Sequence, residues 1–539
     1  MKNISNSLSL EACIGQLLCP LHGRDDLDAV KRLQEREHYG CAFLNSITLD
    51  AFQKTTVAIQ SAASSPVIVA ADLECGAKSV TDRSTRFPWA MASGAARAEA
   101  ATETMGLATA AEGRHAGIHW TFAPVVDINY NFRNGVSNVR TYGDDPDTVL
   151  RCARAFIRGV QAENRMAACA KHFPGDGMDE RDQHLLTTVN NLSEDAWMAT
   201  YGKVWRGVID AGVRTIMSGH ISFPAWQGEF QHPENGLPAT LCPKLQIELL
   251  RKELGFDGVI VSDAAPMTGL TSRVPEDEAV VRFIAAGGDV YLFARPGKDH
   301  GLILEAVRRG RLSEARVREA ADRVLALKEW LRLDRQTQGP SPTEAQSLHF
   351  REAAETIARE AVTIQKDNGR IGQAPPKDAR ILTVTVDVEG HKFQPPTLEA
   401  FDQHLRHAGY TDVTHFRNPG SHQMLDAVKV YDTIFLNIYL LPHMHMGHTR
   451  LYSPQAMIFW RGFAARHADL RCTSFGTPYI LYDQPHLPNM LLAYSGVEPC
   501  QRAAVDVWLG TRKAVGVCPV RQPEIRIVDF AGDPPFRAS

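Results

Sequence analysis

The sequence predicts an α/β fold, a TIM-type (β/α)8 barrel followed by a smaller α/β sandwich domain. Two observations predict it. From about residue 40 to 295, short apolar runs alternate with longer helical patterns, which is typical of repeated βα units around a parallel sheet. Almost every apolar run also ends with Asp, His or Lys–His. In TIM-type barrels the functional side chains lie at the C-terminal ends of the strands.

Seven runs are predicted as barrel strands, close to the eight of a complete barrel. In chain order they are CAFLNS, PVIVAAD ending at Asp72, HWTFAPVVD ending at Asp127, AACAKHF ending at Phe173, VRTIMSGH ending at His220, DGVIVSD ending at Asp263 and GGDVYLF ending at Phe293. A single Asp after a strand is often the N-cap of the next helix. Five strands with ionisable ends favour the rim of an active site instead.

A polar linker separates the barrel from a second α/β domain. The segment DRQTQGPSPT, residues 334 to 343, follows the helical run SEARVREAADRVLALKEWL and contains Gly and Pro. A helix is predicted at roughly 346 to 365. The later patterns are the strands RILTVTVD, DTIFLNIYL and RCTSFG and the helices PQAMIFWRGFAARH and QRAAVDVWLG. We expect the barrel domain at 1–333, the linker at 334–345 and a C-terminal domain with a mostly parallel sheet at 346–539.

Composition excludes several classes of partner. A chain of 539 residues is too long for one core, so one large and at least one smaller domain are expected. The net charge of −4 leaves no basic surface, and we expect neither nucleic acid nor a membrane as partner. The N-terminus lacks a convincing signal peptide, and the ten cysteines are scattered without a CxxC pair. These features indicate reduced thiols in a cytoplasmic protein.

The densest polar segment is KHFPGDGMDERDQH, from Lys171 to His184. Gly175 and Gly177, after Pro174, permit a turn that no helix contains. The residues that follow are therefore expected on a mobile loop over the barrel mouth. Such a loop can deliver a catalytic group when substrate is present.

Asp182 and His184 lie two residues apart, which places both side chains on one side of an extended segment. A carboxylate beside an imidazole favours the imidazolium and fixes the tautomer, so the pair can move a proton near neutral pH. The alternative is a solvated loop in which the histidine has no chemical role.

Asp263 closes the apolar strand VIVSD, and its alternative role is the N-cap of the next helix. An ionised carboxylate at a barrel rim can act as a nucleophile on an anomeric carbon. Lys171 and His172 are neighbours that would point to opposite sides of a regular strand. The strand must end or bulge there if both are to face the same ligand.

Three histidines, His443, His445 and His448 in LPHMHMGH, belong to the second domain. They either ligate a metal or lie in a structural loop. Their spacing matches no metal motif, so the structural interpretation is preferred and no metal is expected.

These segments resemble glycoside hydrolase family 3 and, more narrowly, its two-domain β-N-acetylhexosaminidase (β-N-acetylglucosaminidase) branch. KHFPGDG with the later DQH is similar to the branch's KHFPGHG…DSH loop, and GFDGVIVSD to the strand that bears the family nucleophile. APVVDINYN…VRTYGDDP resembles APVxDV…RSFGxDP. The similarity covers roughly residues 8 to 330, and TSFGTPYIL and the late VCPV resemble the second domain of such proteins.

The resemblance implies a role for each matching residue. Asp263 is then the nucleophile, His184 the acid/base and Asp182 its orienting partner. The positions that match sugar-binding or pocket-lining residues are Asp72, Arg140, Lys171, His172, Met217 and His220. The implied activity is retaining, exo-acting release of terminal β-linked N-acetylglucosamine without a cofactor. The implied substrate is a small carbohydrate such as a muropeptide, a chitin fragment or another glycoconjugate.

Two departures from the family pattern bear on the exact substrate and not on the reaction, and three other functions stay open. DLECG carries Leu73 and Cys75, followed by AKSVT where relatives usually place arginines, and Asp176 replaces the histidine of PGHG. One alternative is a β-glucosidase, although that class normally takes its acid/base from the second domain. A β-N-acetylglucosaminide phosphorylase is another, since a neutral histidine base does not repel phosphate. A non-catalytic sugar-binding relative is the third.

Overall fold

The computed structural model describes residues 4–22, 26–45, 48–228, 236–388, 397–442, 449–452 and 455–523. His443, His445 and His448 lie outside these residues, so the interpretation of this histidine group stays a prediction. Among the helices in the described ranges, none combines the length and the apolar character needed to cross a bilayer.

The first part of the chain forms a parallel barrel, which confirms the predicted fold class. Its sheet has the strand order β10-β8-β6-β5-β4-β3-β2, and β1 pairs in parallel with β11. The strands are β1 Leu18–Cys19, β2 Leu21–His22, β3 Cys41–Leu44, β4 Ile68–Ala71, β5 Trp120–Thr121, β6 Ala167–Phe173, β7 Thr188–Val189, β8 Thr215–Ser218, β9 Ile221–Ser222, β10 Val259–Ser262 and β11 Tyr291–Leu292. Only β7 and β9 lie outside the barrel, as a small separate sheet.

The eighth barrel strand is the one that sequence analysis did not find. It is built from β1 and β2, two short pieces on either side of Pro20. One piece pairs with β11 and the other with β3, and a bridge between Val261 and Val290 joins β11 to β10. Because proline cannot donate to a strand ladder, it splits this strand into pieces too short for a recognisable pattern.

Alternation along the strands decides which residues reach the inside of the barrel. Val259 and Val261 of β10 belong to the interior cluster, whereas Ile260 packs outward against the helices. By the same period of two, Asp263 continues the inward side beyond the end of the strand. Val324 and Leu327 pack into the same interior cluster from a helix after the barrel strands.

Helices surround the barrel and connect its strands. They are α1 Leu10–Gln16, α2 Leu27–Glu37, α3 Leu49–Ala62, α4 Ala90–Ala96, α5 Glu99–Ala116, α6 Pro146–Gln161, α7 Glu194–Trp197, α8 Lys203–Asp210, α9 Pro224–Gln227, α10 Thr268–Thr271, α11 Glu276–Ala285, α12 Asp299–Arg308 and α13 Glu314–Trp330. Met198–Gly202 and Lys244–Glu253 are π-helical. Short 3₁₀ turns occupy Ile4–Ser7, Ala77–Ser79, Asn138–Arg140, Ala162–Asn164 and Ala239–Leu241.

The second part is a six-stranded sheet with the order β12-β17-β16-β15-β13-β14. Its strands are β12 Thr363–Lys366, β13 Ile381–Asp387, β14 Val413–Arg417, β15 Thr433–Tyr439, β16 Leu470–Ser474 and β17 Met490–Leu492. Among the strands that the structure describes in this part, β12 alone is antiparallel, and it pairs with β17 at the edge. The accompanying helices are α14 Glu344–Ala361, α15 Glu399–His407, α16 Ser421–Ala427, α17 Ile480–Asp483 and α18 Glu498–Trp508. The predicted mostly parallel sheet is confirmed.

One predicted helix of this region is wrong. Residues 454–467 were expected to form a continuous helix, but the structure has two 3₁₀ turns, Gln455–Phe459 and Phe463–Arg466. Gly462 lies between them with φ of 62°, a left-handed conformation that an α-helix cannot contain. The apolar residues of this segment therefore reach the core from two short turns instead of one helix face.

The two parts are held together by helix packing and by backbone hydrogen bonds. Helix α14 packs on α4 and α5 of the barrel and on α18 of the second sheet. The segment after α18 returns to the barrel, where the Val517 N–H donates to Ala95 and the Asp144 N–H donates to Pro519. The sequence-based domain limits stay a prediction.

Candidate active site

A cavity of about 610 Å³ opens at the C-terminal end of the barrel strands. The predicted site residues that line it are Asp72, Arg140, Lys171, His172, His184, Met217 and Asp263. Asp182 and His220 do not line the cavity and lie behind its wall. Among the charged side chains that line the cavity, Glu74 was not singled out from the sequence. Pro442 of the second part of the chain also contributes to the wall.

Asp263 lies at the end of β10, where its Oδ1 accepts a 2.7 Å hydrogen bond from the Ala264 N–H. Burial disfavours its charged form. The positive fields of His172, His220 and His184 and the Ala264 N–H outweigh this effect, so the pKa of Asp263 lies below its usual range. The carboxylate is therefore ionised at neutral pH, as a nucleophile requires.

His172 stands next to Asp263, with 4.0 Å between its Nε2 and the Oδ2 of Asp263. Its Nδ1 lies 2.7 Å from Oδ2 of buried Asp127, whose Oδ1 accepts the His172 N–H at 3.0 Å. An acceptor at Nδ1 assigns the proton there and turns Nε2 toward the cavity. The sequence identified Asp127 as a strand end but did not indicate that it orients His172.

Lys171 and His172 both line the cavity although they are adjacent in β6. The pairing of β6 with β8 shifts register between Ala170 and Phe173. This irregularity is the strand ending or bulge that the sequence analysis required for both side chains to face one ligand.

Glu74 is the centre of a buried charge cluster on one side of the cavity. Arg140 binds it with two hydrogen bonds, from Nε at 2.9 Å and from Nη2 at 2.8 Å, and Lys171 Nζ approaches its Oε1 at 2.8 Å. Burial alone would raise the pKa of Glu74, but these two cations hold it well below the usual range. Despite burial, the negative charges of Asp72 and Glu74 raise the pKa of Lys171, and that of Glu74 raises the pKa of Arg140.

Asp72 completes this side of the cavity. Lys171 Nζ donates to its Oδ1 at 3.1 Å, and 46% of its side chain remains exposed. A hydroxyl-bearing ligand can therefore reach its second oxygen. Glu74 lies two residues after Asp72, on the same side of an extended segment, which is the sequence signal that could have identified it.

His184 and Asp182 form the second histidine–carboxylate pair. The Asp182 Oδ1 lies 2.6 Å from His184 Nδ1 and also accepts the His184 N–H at 2.8 Å. The side chain of Asp182 is 1% exposed and that of His184 is 14% exposed. The carboxylate is thus sealed behind the ring, and the ring lines the cavity.

The loop that carries this pair is held by hydrogen bonds to a neighbouring segment, and its mobility stays a prediction. The Thr268 N–H donates to the carbonyl of His184 at 3.1 Å, and Thr187 Oγ1 donates to Gly269 at 2.7 Å. Both contacts join the loop to the segment that follows Asp263. A Cβ on Gly177, whose φ is +98°, would lie 2.0 Å from the Ile128 carbonyl, so only glycine fits there.

Asp176, where the resembled branch has histidine, is a buried residue at the start of this loop. Its Oδ1 accepts hydrogen bonds from Asn134 Nδ2 at 2.9 Å and from the Gly177 N–H at 2.6 Å. Burial, and next the negative charge of Asp127, raise the pKa of Asp176 to about 7. The carboxyl therefore changes protonation near neutral pH.

His220 is buried behind Asp263 and does not face the cavity. Its Nδ1 lies 2.9 Å from Thr240 Oγ1 and its Nε2 lies 3.1 Å from the Ala264 carbonyl. Burial lowers the pKa of His220 from its ordinary value. With both ring nitrogens engaged, His220 supports the backbone beside Asp263 instead of contacting a ligand.

The chain is similar in sequence to one protein family and to a protein of nearly the same length. The family described as "Glycosyl hydrolase family 3 N terminal domain" matches residues 14–327. A protein named "Beta-N-acetylglucosaminidase/beta-glucosidase" from Cellulomonas fimi is 32% identical over 524 residues, which cover 94% of this chain and 93% of the relative.

Two solved structures match nearly the whole fold. A β-glucoside phosphorylase bound to 2FGlc is 29% identical, with a TM-score of 0.86 over 96% of this chain and 95% of its own. A family 3 β-N-acetylglucosaminidase from Paenibacillus sp. str. FPU-7 is 26% identical, with a TM-score of 0.83 over 95% of this chain and 99% of its own. Both share the barrel and the second α/β layer with this chain.

Proposed function

The chain belongs to glycoside hydrolase family 3 and is a glycoside hydrolase, and from that premise we propose a specific reaction. The protein releases a terminal β-linked N-acetylglucosamine with retention of configuration, through a covalent glycosyl intermediate on Asp263. His184 acts as the acid/base and Asp182 orients it. The observation that carries the proposal is that an ionised Asp263 and a carboxylate-held His184 line one cavity.

In the first step, Asp263 attacks the anomeric carbon while protonated His184 donates a proton to the departing oxygen. The bond from carbon to that oxygen breaks as the bond to the carboxylate forms. In the second step, neutral His184 takes a proton from water, which attacks the same carbon and releases Asp263. Asp182 stabilises the imidazolium of the first step because it accepts from Nδ1.

The charge cluster on the other side of the cavity holds the sugar. Lys171 and the exposed oxygen of Asp72 offer a donor and an acceptor to neighbouring hydroxyls. Glu74 and Arg140 hold Lys171 in place through buried contacts. The side chain of Lys171 therefore loses little conformational entropy when the sugar binds. His172 presents Nε2 beside Asp263, within reach of a hydroxyl next to the reacting carbon.

The choice of N-acetylglucosamine rests on the resemblance of the KHFPGDG…DQH loop and on the relatives named for that activity. A panel of aryl β-glycosides tests it. We expect the N-acetylglucosaminide to have a kcat/KM about tenfold or more above those of the glucoside and the xyloside, a specificity difference within the reach of pocket contacts. A glucoside turned over faster would replace this proposal with a β-glucosidase.

Phosphorolysis is a second candidate, supported by the β-glucoside phosphorylase that matches the fold at 29% identity. A neutral histidine base carries no negative charge and so does not repel a phosphate nucleophile as a carboxylate would. The products decide between the two reactions. With inorganic phosphate present, a sugar 1-phosphate indicates phosphorolysis, and free sugar alone indicates hydrolysis.

The natural substrate that we propose is a small glycoconjugate, such as a muropeptide or a chitin fragment. We also propose a reducing compartment, the cytoplasm, because all ten cysteines are free thiols and nine of them are buried. Fractionation of the source cells, with activity followed across the fractions, tests the location.

A further inference from the structure

We propose that the face of the barrel opposite the active site carries a binding site for a small phosphate-bearing anion. A cavity of about 580 Å³ lies there. Its walls come from the end of α5, the turn before β6, the end of α13 and the linker before α14. These segments precede strands or close the bottom of the barrel, whereas the cavity with Asp263 lies at the ends of the strands.

The side chains around this lower cavity carry a strong excess of positive charge. Four arginines line it, Arg114, Arg165, Arg332 and Arg335, and Glu163 is the one carboxylate among the lining residues. Glu163 pairs with Arg165 at 2.5 Å. In the described part of the chain, neither Arg114 nor Arg332 forms an ion pair with a carboxylate. The excess is unusual here, because the whole chain has a net charge of −4.

Arg114 is the key residue because it is buried. It lies in the last turn of α5 and is 7% exposed. Its Nη2 donates to the Gln336 carbonyl at 2.6 Å, but its Nη1 has no hydrogen-bond partner among the residues that the structure describes. Burial lowers the pKa of Arg114 to about 10, which leaves it charged at neutral pH.

A buried cation without a carboxylate is costly, because it has lost water and gained no opposite charge. A guanidinium presents paired N–H groups in a fork that matches two oxygens of a phosphate group. Ser341, Gln346 and Asn164 also line the cavity and add neutral polar groups around the arginines. The cavity size and this chemistry select a compact polyanion, such as pyrophosphate or a phosphorylated metabolite.

A bound anion would also strengthen the connection between the two parts of the chain. The linker already meets Arg114 through the Gln336 carbonyl and through the Gly339 N–H, which donates to the Arg114 carbonyl at 2.8 Å. An anion shared by Arg114, Arg332 and Arg335 would join the helix ends to this linker. We therefore expect ligand binding to stabilise the folded chain without changing the chemistry at Asp263.

The test is calorimetric titration of the full chain with sodium pyrophosphate, at an ionic strength kept constant with sodium chloride. We expect saturable binding by the wild type and a weakening of about tenfold or more in the double variant Arg332→Ala/Arg335→Ala, as expected for lost charge-assisted hydrogen bonds. The control is Arg308→Ala/Arg309→Ala, which removes the same charge from exposed arginines at the end of α12. It should bind like the wild type.

Turnover of an aryl glycoside is measured on the same samples and should be unchanged in both double variants. Pyrophosphate should raise the melting temperature of the wild type and of the control more than that of Arg332→Ala/Arg335→Ala. Absence of saturable binding by the wild type overturns the proposal. Equal affinity in the two double variants also overturns it, because the anion then binds elsewhere, including at the active site.

Discussion

Two histidine–carboxylate pairs at the barrel mouth have the same local geometry and different surroundings. His172 meets Asp127 at 2.7 Å and His184 meets Asp182 at 2.6 Å, each through Nδ1. His172 is held in a strand beside Asp263, whereas His184 is more exposed and lies on a loop. We propose that the first positions a ligand hydroxyl beside Asp263 and that the second exchanges a proton with a leaving group or water.

Replacing Asp263 by alanine tests the nucleophile. We expect Asp263→Ala to lower kcat by about 10³-fold or more, since the covalent step is lost while little packing changes. Asp257→Ala is the control, because Asp257 is exposed just before the same strand. A 2-fluoro glycoside should label the wild type on the peptide VSDAAPM, and a label on another peptide would move the nucleophile elsewhere.

Replacing His184 by alanine tests the proton carrier. His184→Ala should slow substrates with poor leaving groups by about 10²–10⁴-fold, the usual contribution of general acid–base catalysis, and activated aryl glycosides far less. Activated substrates should show a burst and then slow turnover, because the second step has lost its base. His422→Ala, at an exposed histidine of α16, serves as control. An equal decrease in rate for substrates with good and with poor leaving groups would show that His184 only shapes the loop.

Asp182 permits a milder test of the same pair. Asp182→Asn keeps the shape of the side chain but removes the charge beside His184 Nδ1. The basic limb of the pH profile should move to lower pH, because the imidazolium loses its neighbouring negative charge. An unchanged profile with normal kcat would mean that Asp182 has no influence on proton transfer.

At the scale of elements, the loop from Pro174 to His184 is anchored on three sides. Tyr201 Oη donates to the Asp176 carbonyl at 2.6 Å, and Asn134 Nδ2 donates to the Asp179 carbonyl at 2.7 Å. Thr268 holds the end that carries His184. These contacts explain how a segment with two glycines, polar over most of its length, presents a histidine at a defined place.

The protonation of Asp176 makes the stability of this loop depend on pH. Its pKa is about 7 in the folded protein and 3.8 in its ordinary state, so the folded chain holds the proton more tightly. Stability from this group is therefore present in full below pH 4 and is lost as the pH rises toward 7. The loss is at most about 1.4 kcal/mol per pH unit.

We expect Asp176→Asn to gain stability relative to the wild type between pH 4 and 7, and the gain to be constant above that range. Urea unfolding of both proteins across this range measures the difference. Asp179→Asn is the control, because Arg181 and backbone contacts offset burial and keep the pKa of Asp179 below its usual value. The difference in free energy of unfolding between Asp179→Asn and the wild type should not change with pH in this range. If the difference in free energy of unfolding between Asp176→Asn and the wild type does not change with pH, the pKa of Asp176 is not raised.

At the scale of the whole molecule, the second part of the chain supports the loop that carries Arg140. Asn129 Nδ2 donates to Tyr479 Oη at 2.7 Å, and Asn138 Nδ2 donates to Thr477 Oγ1 at 3.1 Å, both within the buried contact. Residues 129–140 thus connect the second sheet to the cluster around Glu74. We therefore expect the C-terminal part to position residues at the barrel mouth.

Tyr479→Phe removes only the acceptor for Asn129. We expect kcat/KM to fall about tenfold, mainly through a higher KM, because misplacing Arg140 loosens Lys171 and the sugar contacts. Tyr482→Phe removes a longer and exposed contact, 3.5 Å from Arg133 Nη2, and should behave like the wild type. A loss of thermal stability with unchanged KM would indicate a purely structural contact.

The sequence alone was sufficient for the fold class and for selecting the residues to which we assign the reaction. Strands of period two, separated by helical patterns, predicted a barrel that the structure and family confirm. The placement of Asp263 and of His184 followed from strand ends and from local spacing, and both line one cavity. These features are local, because a few consecutive residues determine which way a side chain points from a strand.

The features that join distant segments depend on the tertiary structure. Closure of the barrel through β1 and β2, the cluster of Arg140 and Lys171 around Glu74, and the withdrawal of His220 behind the cavity wall depend on residues far apart in sequence. The hydrogen bonds that hold the loop of His184 and the set of arginines around the lower cavity also join residues far apart in sequence. Their contacts arise only when packing brings separate elements together, and no pattern within one segment records which partner each side chain will meet.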